Sequence, residues 1–255
     1  MWQPDGWDVK TRLGLLVPHA DVGPESEIWA MAPEDVAIHA ARVPFGAMSA
    51  GGAMDPTIPH EPVRAFATSP YLDDVAALLA EAPVDAIGFA FTSSAYLIGE
   101  SGEAEMIGRL QERTHGIPVV ATCTAAVQAL RHLAANRIAL VSPPWFDVQL
   151  DEAGRTFYES ANFEVVQSGP CTLPSGQSLI SPESLYDFIC ATVPDSAEAV
   201  VVGGNGFRAV GVIDAVEQTL DRPVLTANQV LLWAGLRAAH RETQGIDKYG
   251  RLFKV

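Results

Sequence analysis

The chain has 255 residues, of which 48% are hydrophobic and 18% are charged, and its formal net charge is −15. Such a chain buries enough apolar surface to fold, and its length suits one large α/β domain or two smaller lobes. The negative charge repels nucleic-acid backbones and anionic lipid headgroups, so we expect no nucleic-acid partner and no membrane partner.

The cysteines and the hydrophobic runs predict a soluble, cytoplasmic protein. Cys123, Cys171 and Cys190 are an odd number without metal-ligand spacing, which indicates a reducing compartment. No basic segment followed by an apolar signal core opens the sequence, and no apolar run approaches the roughly 20 residues that cross a bilayer. We expect no metal and no cofactor.

Short apolar runs alternate along the chain with stretches of helical periodicity. Continuous apolar strands that alternate with helices are typical of parallel sheets covered on both faces, so the predicted fold class is α/β. The predicted strands are 12–17, 36–42, 85–92, 117–121, 137–141, 163–167, 197–202 and 223–226. The predicted helices are 72–82, 103–114, 125–133, 146–160, 182–192 and 229–240.

The sequence repeats itself in three places, each a strand with the residues that follow it. In the first pair a basic residue and an apolar run end in proline. In the second an acidic-flanked strand ends in small polar residues, and in the third a proline-containing strand leads into a helix. The matching segments, in the same order in both halves, are 12–18 with 137–143, 84–94 with 197–207, and 117–122 with 222–227.

The repeat predicts two similar lobes with a site between them. We assign residues 8–116 plus 227–255 to an N-terminal lobe and residues 117–226 to a C-terminal lobe. Ligands of open α/β sheets bind beyond the carboxyl ends of the strands, where helix N-termini offer free N–H groups. If these strand ends face each other, loops 92–94 and 203–206 meet. Either loop alone is explained by turn formation, but their pairing favours a binding site.

Five segments, in their order and spacing, resemble one known group of proteins. They are 14–18, 91–99, 122–131, 203–212 and 249–253. Together they resemble the maleate isomerase and arylmalonate decarboxylase branch of the aspartate/glutamate racemase superfamily, and the resemblance covers nearly the whole chain. It implies two pseudo-symmetric lobes, each a parallel sheet flanked by helices, with the active site in the cleft between them. It also implies a homo-oligomer.

The resemblance implies a cofactor-independent isomerase or a lyase of the decarboxylase type. Its partner is then a small carboxylic or dicarboxylic acid, which reacts through an enediolate-like intermediate. In that family hydroxyls and backbone amides hold the substrate carboxylate, while cysteines move protons or add to a double bond. The developing enediolate is costly unless preorganised donors meet its charge, and a thiolate supplies or removes the proton.

Four residues match the family's substrate-binding positions. Thr92 and Ser93 match the carboxylate-binding hydroxyls after the first strand, and Asn205 and Gly206 match the second loop. The resemblance therefore implies that these residues bind the substrate, and five more residues complete the predicted binding set: Pro18, Asp21, Phe91, Trp145 and Gly204.

The family's cysteines are absent from their positions in this chain. Phe91 stands at the first position, and Gly204, or Asn205 with a shift of one residue, stands at the second. Phenylalanine neither transfers a proton nor adds to an alkene, so it implies an apolar pocket wall and puts cysteine-based racemisation and isomerisation in doubt. Trp145 and two prolines occupy the stretch where the family carries a hydrogen-bonding tyrosine, and we include Trp145 among the pocket residues.

Two residues are candidates for the chemistry that the missing thiols leave open. His19, which follows Pro18 and precedes Asp21 in a segment that touches substrate in the related isomerases, is able to act as acid or base near pH 7 or to cap its loop. Cys123 opens a helix, where the helix dipole is expected to lower the pKa of its thiol, although unpaired cysteines are commonly buried hydrophobes.

Two alternative functions remain open on the sequence. One is a carboxylate-binding protein that kept the pocket and lost the catalysis. The other is a hydratase or lyase in which His19 is the base. A nucleotide site at 203–206 is excluded, because the glycine spacing meets neither the dinucleotide nor the P-loop pattern.

Overall fold

Two parallel four-stranded sheets form the framework of the computed structural model, which describes residues 2–3 and 5–255. The first sheet contains β1 (Thr11–Pro18), β2 (Val36–Val43), β3 (Ala86–Phe89) and β4 (Val119–Ala121). The second contains β5 (Arg137–Ser142), β6 (Glu164–Pro170), β7 (Ala199–Val202) and β8 (Val224–Thr226).

The two sheets share one strand order. The first is ordered β2-β1-β3-β4 and the second β6-β5-β7-β8, and all pairs are parallel. Strands β3 and β7 are buried at every residue, as expected for central strands covered by helices on both faces. The predicted α/β class and the two pseudo-symmetric lobes are confirmed.

Nine helices cover the sheets in the part of the chain that the structure describes. They are α1 (Gly23–Met31), α2 (His60–Phe66), α3 (Tyr71–Leu79), α4 (Thr92–Arg113), α5 (Thr122–His132), α6 (Val148–Ser160), α7 (Pro182–Thr192), α8 (Ile213–Leu220) and α9 (Ala227–Ala238). Short 3₁₀ turns lie at Ala50–Gly52, Gln177–Leu179, Val210–Val212 and Arg251–Phe253. Within the described ranges, no helix is both long and apolar enough to span a bilayer.

The sequence prediction missed helices α1, α2 and α8 and began α4 too late. Helix α1 starts with Gly23 and Pro24, and proline is accepted in the first helical turn. Helix α4 was predicted only from residue 103, and Gly99, inside the observed helix, interrupts the helical backbone with a positive φ of 74°. Segment 92–94 is therefore the first turn of a helix and not a loop.

The predicted boundary between residues 116 and 117 is wrong for strand β4. This strand pairs with β3 in the first sheet, through Ile87 with Val119 and Phe89 with Ala121. The repeat pairs β4 with β8, and each is the last strand of its own sheet, so the division falls after β4 and not before it. Helix α9 packs against β3 and β4 of the first sheet, although it follows β8.

Candidate active site

Helix α4 begins shortly after the carboxyl end of the central strand β3, and its N-terminus points toward the second lobe. Phe91 is extended, with φ −152°, and Thr92, Ser93 and Ser94 form the first buried turn. The first N–H groups of a helix have no partner within it, and the helix dipole favours negative charge at this end. This turn therefore supplies donors suited to a carboxylate.

The loop after β7 meets this turn across the two lobes. The Thr92 hydroxyl donates to Asn205 Oδ1 at 2.8 Å and accepts the Gly204 N–H at 3.2 Å. Gly204 has a φ of 87°, and a Cβ on it would lie 2.4 Å from Pro143 Cγ, so the loop requires glycine here. The two matched strand ends thus converge.

A chain of buried hydrogen bonds holds the Asn205 side chain from behind. Its Nδ2 donates to Thr122 Oγ1 at 3.1 Å and to Asn228 Oδ1 at 2.9 Å. Asn228 in turn donates to Glu27 Oε2 at 2.7 Å and to the Asn205 carbonyl at 2.9 Å. Hydrogen bonds from three helices, α4, α5 and α9, therefore fix the orientation of the Asn205 amide.

Glu27 ends this chain and ties the two lobes together. Its Oε1 accepts the N–H groups of Ala209 at 2.6 Å and Val210 at 3.0 Å, in the second lobe. Burial raises the pKa of Glu27, and the hydrogen bonds from Asn228, Val210 and Ala209 offset part of that rise. A buried carboxyl with every oxygen bonded is a structural group that holds a fixed geometry.

A cavity of about 30 Å³ lies where the two loops meet. All nine predicted substrate-binding residues line it, although their role in binding stays a prediction: Pro18, Asp21, Phe91, Thr92, Ser93, Trp145, Gly204, Asn205 and Gly206. Six lining residues were not predicted, and all of them except Phe146 lie outside the predicted strands and helices: Phe45, Met48, Met54, Ile58, Phe146 and Gln177. The cavity is the size of about two water molecules, so a dicarboxylate fits only after a lining side chain moves.

Phe91 forms an apolar wall of the cavity. Its ring lies 4.2 Å from the ring of Phe66 and 4.9 Å from that of Phe45, centroid to centroid. The distance to Phe45 is in the range of favourable aromatic pairs, and the closer Phe66 ring packs tightly against Phe91, so the first lobe holds the ring in place. No cysteine is among the residues that line this cavity.

Neither residue predicted to be catalytic lines this cavity. His19 is exposed, and its Nδ1 accepts the N–H of Phe45 at 3.2 Å, which fits the loop-capping interpretation. It lines an adjoining, more open groove of about 1280 Å³, which shares Met54, Gln177 and Gly206 with the small cavity but lacks Thr92 and Asn205. The small cavity holds the converging donors, so we place the site there.

Cys123 is fully buried, and the expectation of a lowered thiol pKa is wrong. Burial raises the pKa of Cys123 well above its usual range, and the nearby Glu103 carboxyl raises it further. The thiol donates to the Thr92 carbonyl at 3.4 Å. Desolvation outweighs the helix dipole here because the thiol is sealed from water, with Tyr96 and Tyr158 close by.

Glu103 is a buried carboxyl on α4 whose pKa is raised to about 7, chiefly by burial and despite hydrogen bonds from Thr124. Thr124 donates its N–H at 2.9 Å and its hydroxyl at 2.6 Å to Oε2. The carboxyl is neutral below pH 7 and must ionise inside the protein above it. The pKa is higher in the folded than in the unfolded chain, so the stabilisation is complete below about pH 4.5 and is lost as pH rises through 7.

We therefore expect Glu103→Gln to flatten the pH dependence of stability. Relative to the variant, the wild type should lose about 2 kcal/mol of unfolding free energy between pH 5 and pH 8. Urea unfolding at the two pH values measures the difference. The control Glu105→Gln, an exposed residue of the same helix, should leave the dependence unchanged. Equal pH dependence in wild type and Glu103→Gln would contradict the assignment.

The two pseudo-symmetric lobes, with donors converging at their strand ends, define an aspartate/glutamate racemase-like protein. The family model for arylmalonate decarboxylase matches residues 13–253, and the chain belongs to that family. It is thus an enzyme similar to maleate isomerase and arylmalonate decarboxylase.

Three relatives illustrate the similarity. A maleate isomerase from Pseudomonas putida is 26% identical over 238 residues, which cover 91% of this chain and 92% of the relative. An arylmalonate decarboxylase from Bordetella bronchiseptica is 26% identical over 166 residues, 64% of this chain and 68% of the relative. The crystal structure of a Pseudomonas putida maleate isomerase variant with maleate has a TM-score of 0.81 at 22% identity, covering 95% of this chain and 97% of that one.

Proposed function

We propose that the chain is a cofactor-independent isomerase or lyase, of the decarboxylase type, that acts on a small carboxylate or dicarboxylate through an enediolate-like intermediate. The observation that carries the proposal is the hydrogen bond of 2.8 Å between Thr92 and Asn205, which joins the two lobes at the N-terminus of α4. The acids named for the relatives, maleate and arylmalonate, belong to this substrate class.

The donors of the site are arranged for a carboxylate that gains charge. The N–H groups of the first turn of α4 and the Ser93 hydroxyl serve one side of the anion. The backbone of the loop around Gly204 and Gly206 serves the other. Preorganised donors of this kind stabilise an enediolate more than the starting acid, because the charge on the carboxylate oxygens increases as the intermediate forms.

The apolar lining favours decarboxylation over addition to a double bond. Addition needs a nucleophile at the reacting carbon, and no cysteine lines the cavity. Loss of CO₂ instead converts a charged carboxylate into a neutral molecule. A site without water does not hydrate the leaving carboxylate, and this promotes the step. The wall formed by Phe91 lies in the position to exclude water.

Turnover of small acids tests this function. Purified protein is incubated with maleate and with alkyl- and arylmalonates, and conversion is followed by proton NMR. We expect at least one malonate to be converted, and Ser93→Ala to lower kcat/KM about 100-fold through loss of a donor. Ser101→Ala, exposed on the same helix, is the control that keeps full activity.

Two results oppose the proposal in different ways. Absence of conversion of every acid, together with binding that Ser93→Ala does not change, contradicts it entirely. Tight binding of a dicarboxylate without turnover favours the non-catalytic binding protein. The cytoplasmic location and the homo-oligomeric state are further parts of the proposal, and sedimentation of the purified chain tests the oligomeric state.

A further inference from the structure

Proton transfer to carbon requires an ionisable group beside the substrate, and the small cavity offers one. Among the residues that line it, Asp21 is the only one with an ionisable side chain. Cys123 and His19, the two other candidates, do not line it. The search for the group that replaces the family's thiol therefore leads to Asp21.

The loop after β1 presents the Asp21 carboxyl to the site. The backbone N–H of Asp21 donates to the Pro18 carbonyl at 3.0 Å, which closes a tight turn. One carboxyl oxygen, Oδ1, accepts the Gly23 N–H at 2.8 Å. The other, Oδ2, faces the Gly206 backbone, where a Cβ would lie 2.9 Å away. The same Cβ would also clash with the Gln177 amide, so glycine is required where the second loop passes the Asp21 carboxyl.

The surroundings of Asp21 favour its neutral form more than water does. Only 4% of the residue is exposed. Burial raises the pKa of Asp21, and the Gly23 N–H, the Gln177 amide and the Arg42 guanidinium, on β2, offset part of that rise. Of the acidic groups on α1, Glu25 raises the pKa of Asp21 further. Glu27 lies near enough to Asp21 that the charge of the Asp21 carboxylate contributes to the raised pKa of Glu27.

We infer that Asp21 is the proton-transfer residue of this site, in the place of the family's thiol, and that its substrate is a malonate-type acid. This inference rests on the proposed function. The bond between Cα and one carboxylate carbon breaks, CO₂ leaves, and the electron pair stays on Cα and the remaining carboxylate as an enediolate. The Asp21 carboxylic acid then gives its proton to Cα, and the resulting carboxylate takes a proton from water.

The variant Asp21→Asn tests the inference, because an asparagine oxygen still accepts the Gly23 N–H and keeps the loop in place. We expect kcat for a malonate to fall at least 100-fold, which is the usual contribution of a general acid, while the Kd measured by calorimetry changes less than threefold. Asp21→Glu should restore part of the rate. Glu34→Gln, at an exposed acid that does not line the cavity, is the control and should keep kcat within threefold.

The pH profile and deuterium exchange give independent readouts. Because Asp21 acts as an acid, wild-type kcat should decline as pH rises, and the residual rate of Asp21→Asn should not show this decline. In D₂O the wild type should also exchange the α-proton of the product acid, and Asp21→Asn should not.

The two proposals fail in distinguishable ways. Turnover within threefold of wild type in Asp21→Asn overturns the role of Asp21 and leaves the decarboxylase function intact. A wild type that neither converts a malonate nor exchanges an α-proton overturns both, since Asp21 then moves no proton. If Asp21→Asn raises Kd by the same factor by which it lowers kcat, the residue has a binding role, and this result also contradicts the inference.

Discussion

Replacing Thr92 with valine is expected to lower kcat/KM for the acid substrate by about 100-fold or more. Valine has nearly the volume of threonine but lacks the hydroxyl that donates to Asn205 and accepts from Gly204. The second loop then loses its connection to α4, and its donors no longer meet the developing charge. Loss of one such donor costs about 10²- to 10³-fold in rate.

Steady-state kinetics on Thr92→Val and Thr92→Ser make the comparison. Serine keeps the hydroxyl and removes one methyl group, so it should retain activity within about tenfold. Circular dichroism confirms that both variants are folded. Thr92→Val with unchanged kinetics would mean that the contact between the loops does not contribute to catalysis.

Removal of the Glu27 side chain is expected to destabilise the fold more than any other change considered. Glu27→Ala leaves the N–H groups of Ala209 and Val210 and one amide hydrogen of Asn228 without their acceptor. Each unsatisfied buried group costs about 1–3 kcal/mol, so the loss of unfolding free energy should be about 3–5 kcal/mol.

Urea unfolding at constant pH measures this loss. Glu27→Gln keeps an oxygen for the two backbone amides and should cost about 1 kcal/mol, since a neutral hydrogen bond is retained. Glu34→Ala, an exposed residue nearby, is the control and should change the stability by less than 0.5 kcal/mol, as is usual for surface sites. A loss below 1 kcal/mol in Glu27→Ala would show that the buried chain of hydrogen bonds does not join the lobes.

The sequence alone predicts the sheets well because each strand is a local pattern. The apolar runs that form β3 and β7 are bounded by polar residues, and the repeat places them in equivalent positions. Segments 92–94 and 203–206, which follow these strands, were predicted because the repeat places them in equivalent positions as well. In a parallel sheet the strand ends share one edge, so a residue such as Thr92 is placed by the topology itself.

Other features depend on contacts between distant segments, which no local pattern encodes. Asn228 bonds Glu27 from 201 positions away. Cys123 has the sequence context of a reactive thiol, but the packing of α4 against α6 and α5 buries it, and the resulting desolvation decides its pKa. The lining residues Met48 and Gln177 lie outside the predicted strands and helices, so the sequence pattern does not indicate the direction of their side chains.

For Asp21, the sequence predicts the position of the residue, and only the structure shows its environment. The sequence predicts a place near the substrate for Asp21 because it follows β1. Its burial, its bond to Gly23 and the nearness of Gly206 come only from the folded chain. Together with the absence of another ionisable side chain in the lining, these facts are the basis for the proposal that Asp21 transfers the proton.

A crystal structure of the wild-type protein grown with malonate is the most direct measurement of how this molecule works. We expect one carboxylate of the malonate to sit in the small cavity, with an oxygen about 3 Å from the N–H of Ser93 and another about 3 Å from an N–H between Gly204 and Gly206. The claim that the two strand ends form the carboxylate site would be contradicted if malonate were found only in the larger groove, with the Thr92–Asn205 hydrogen bond intact and the small cavity empty.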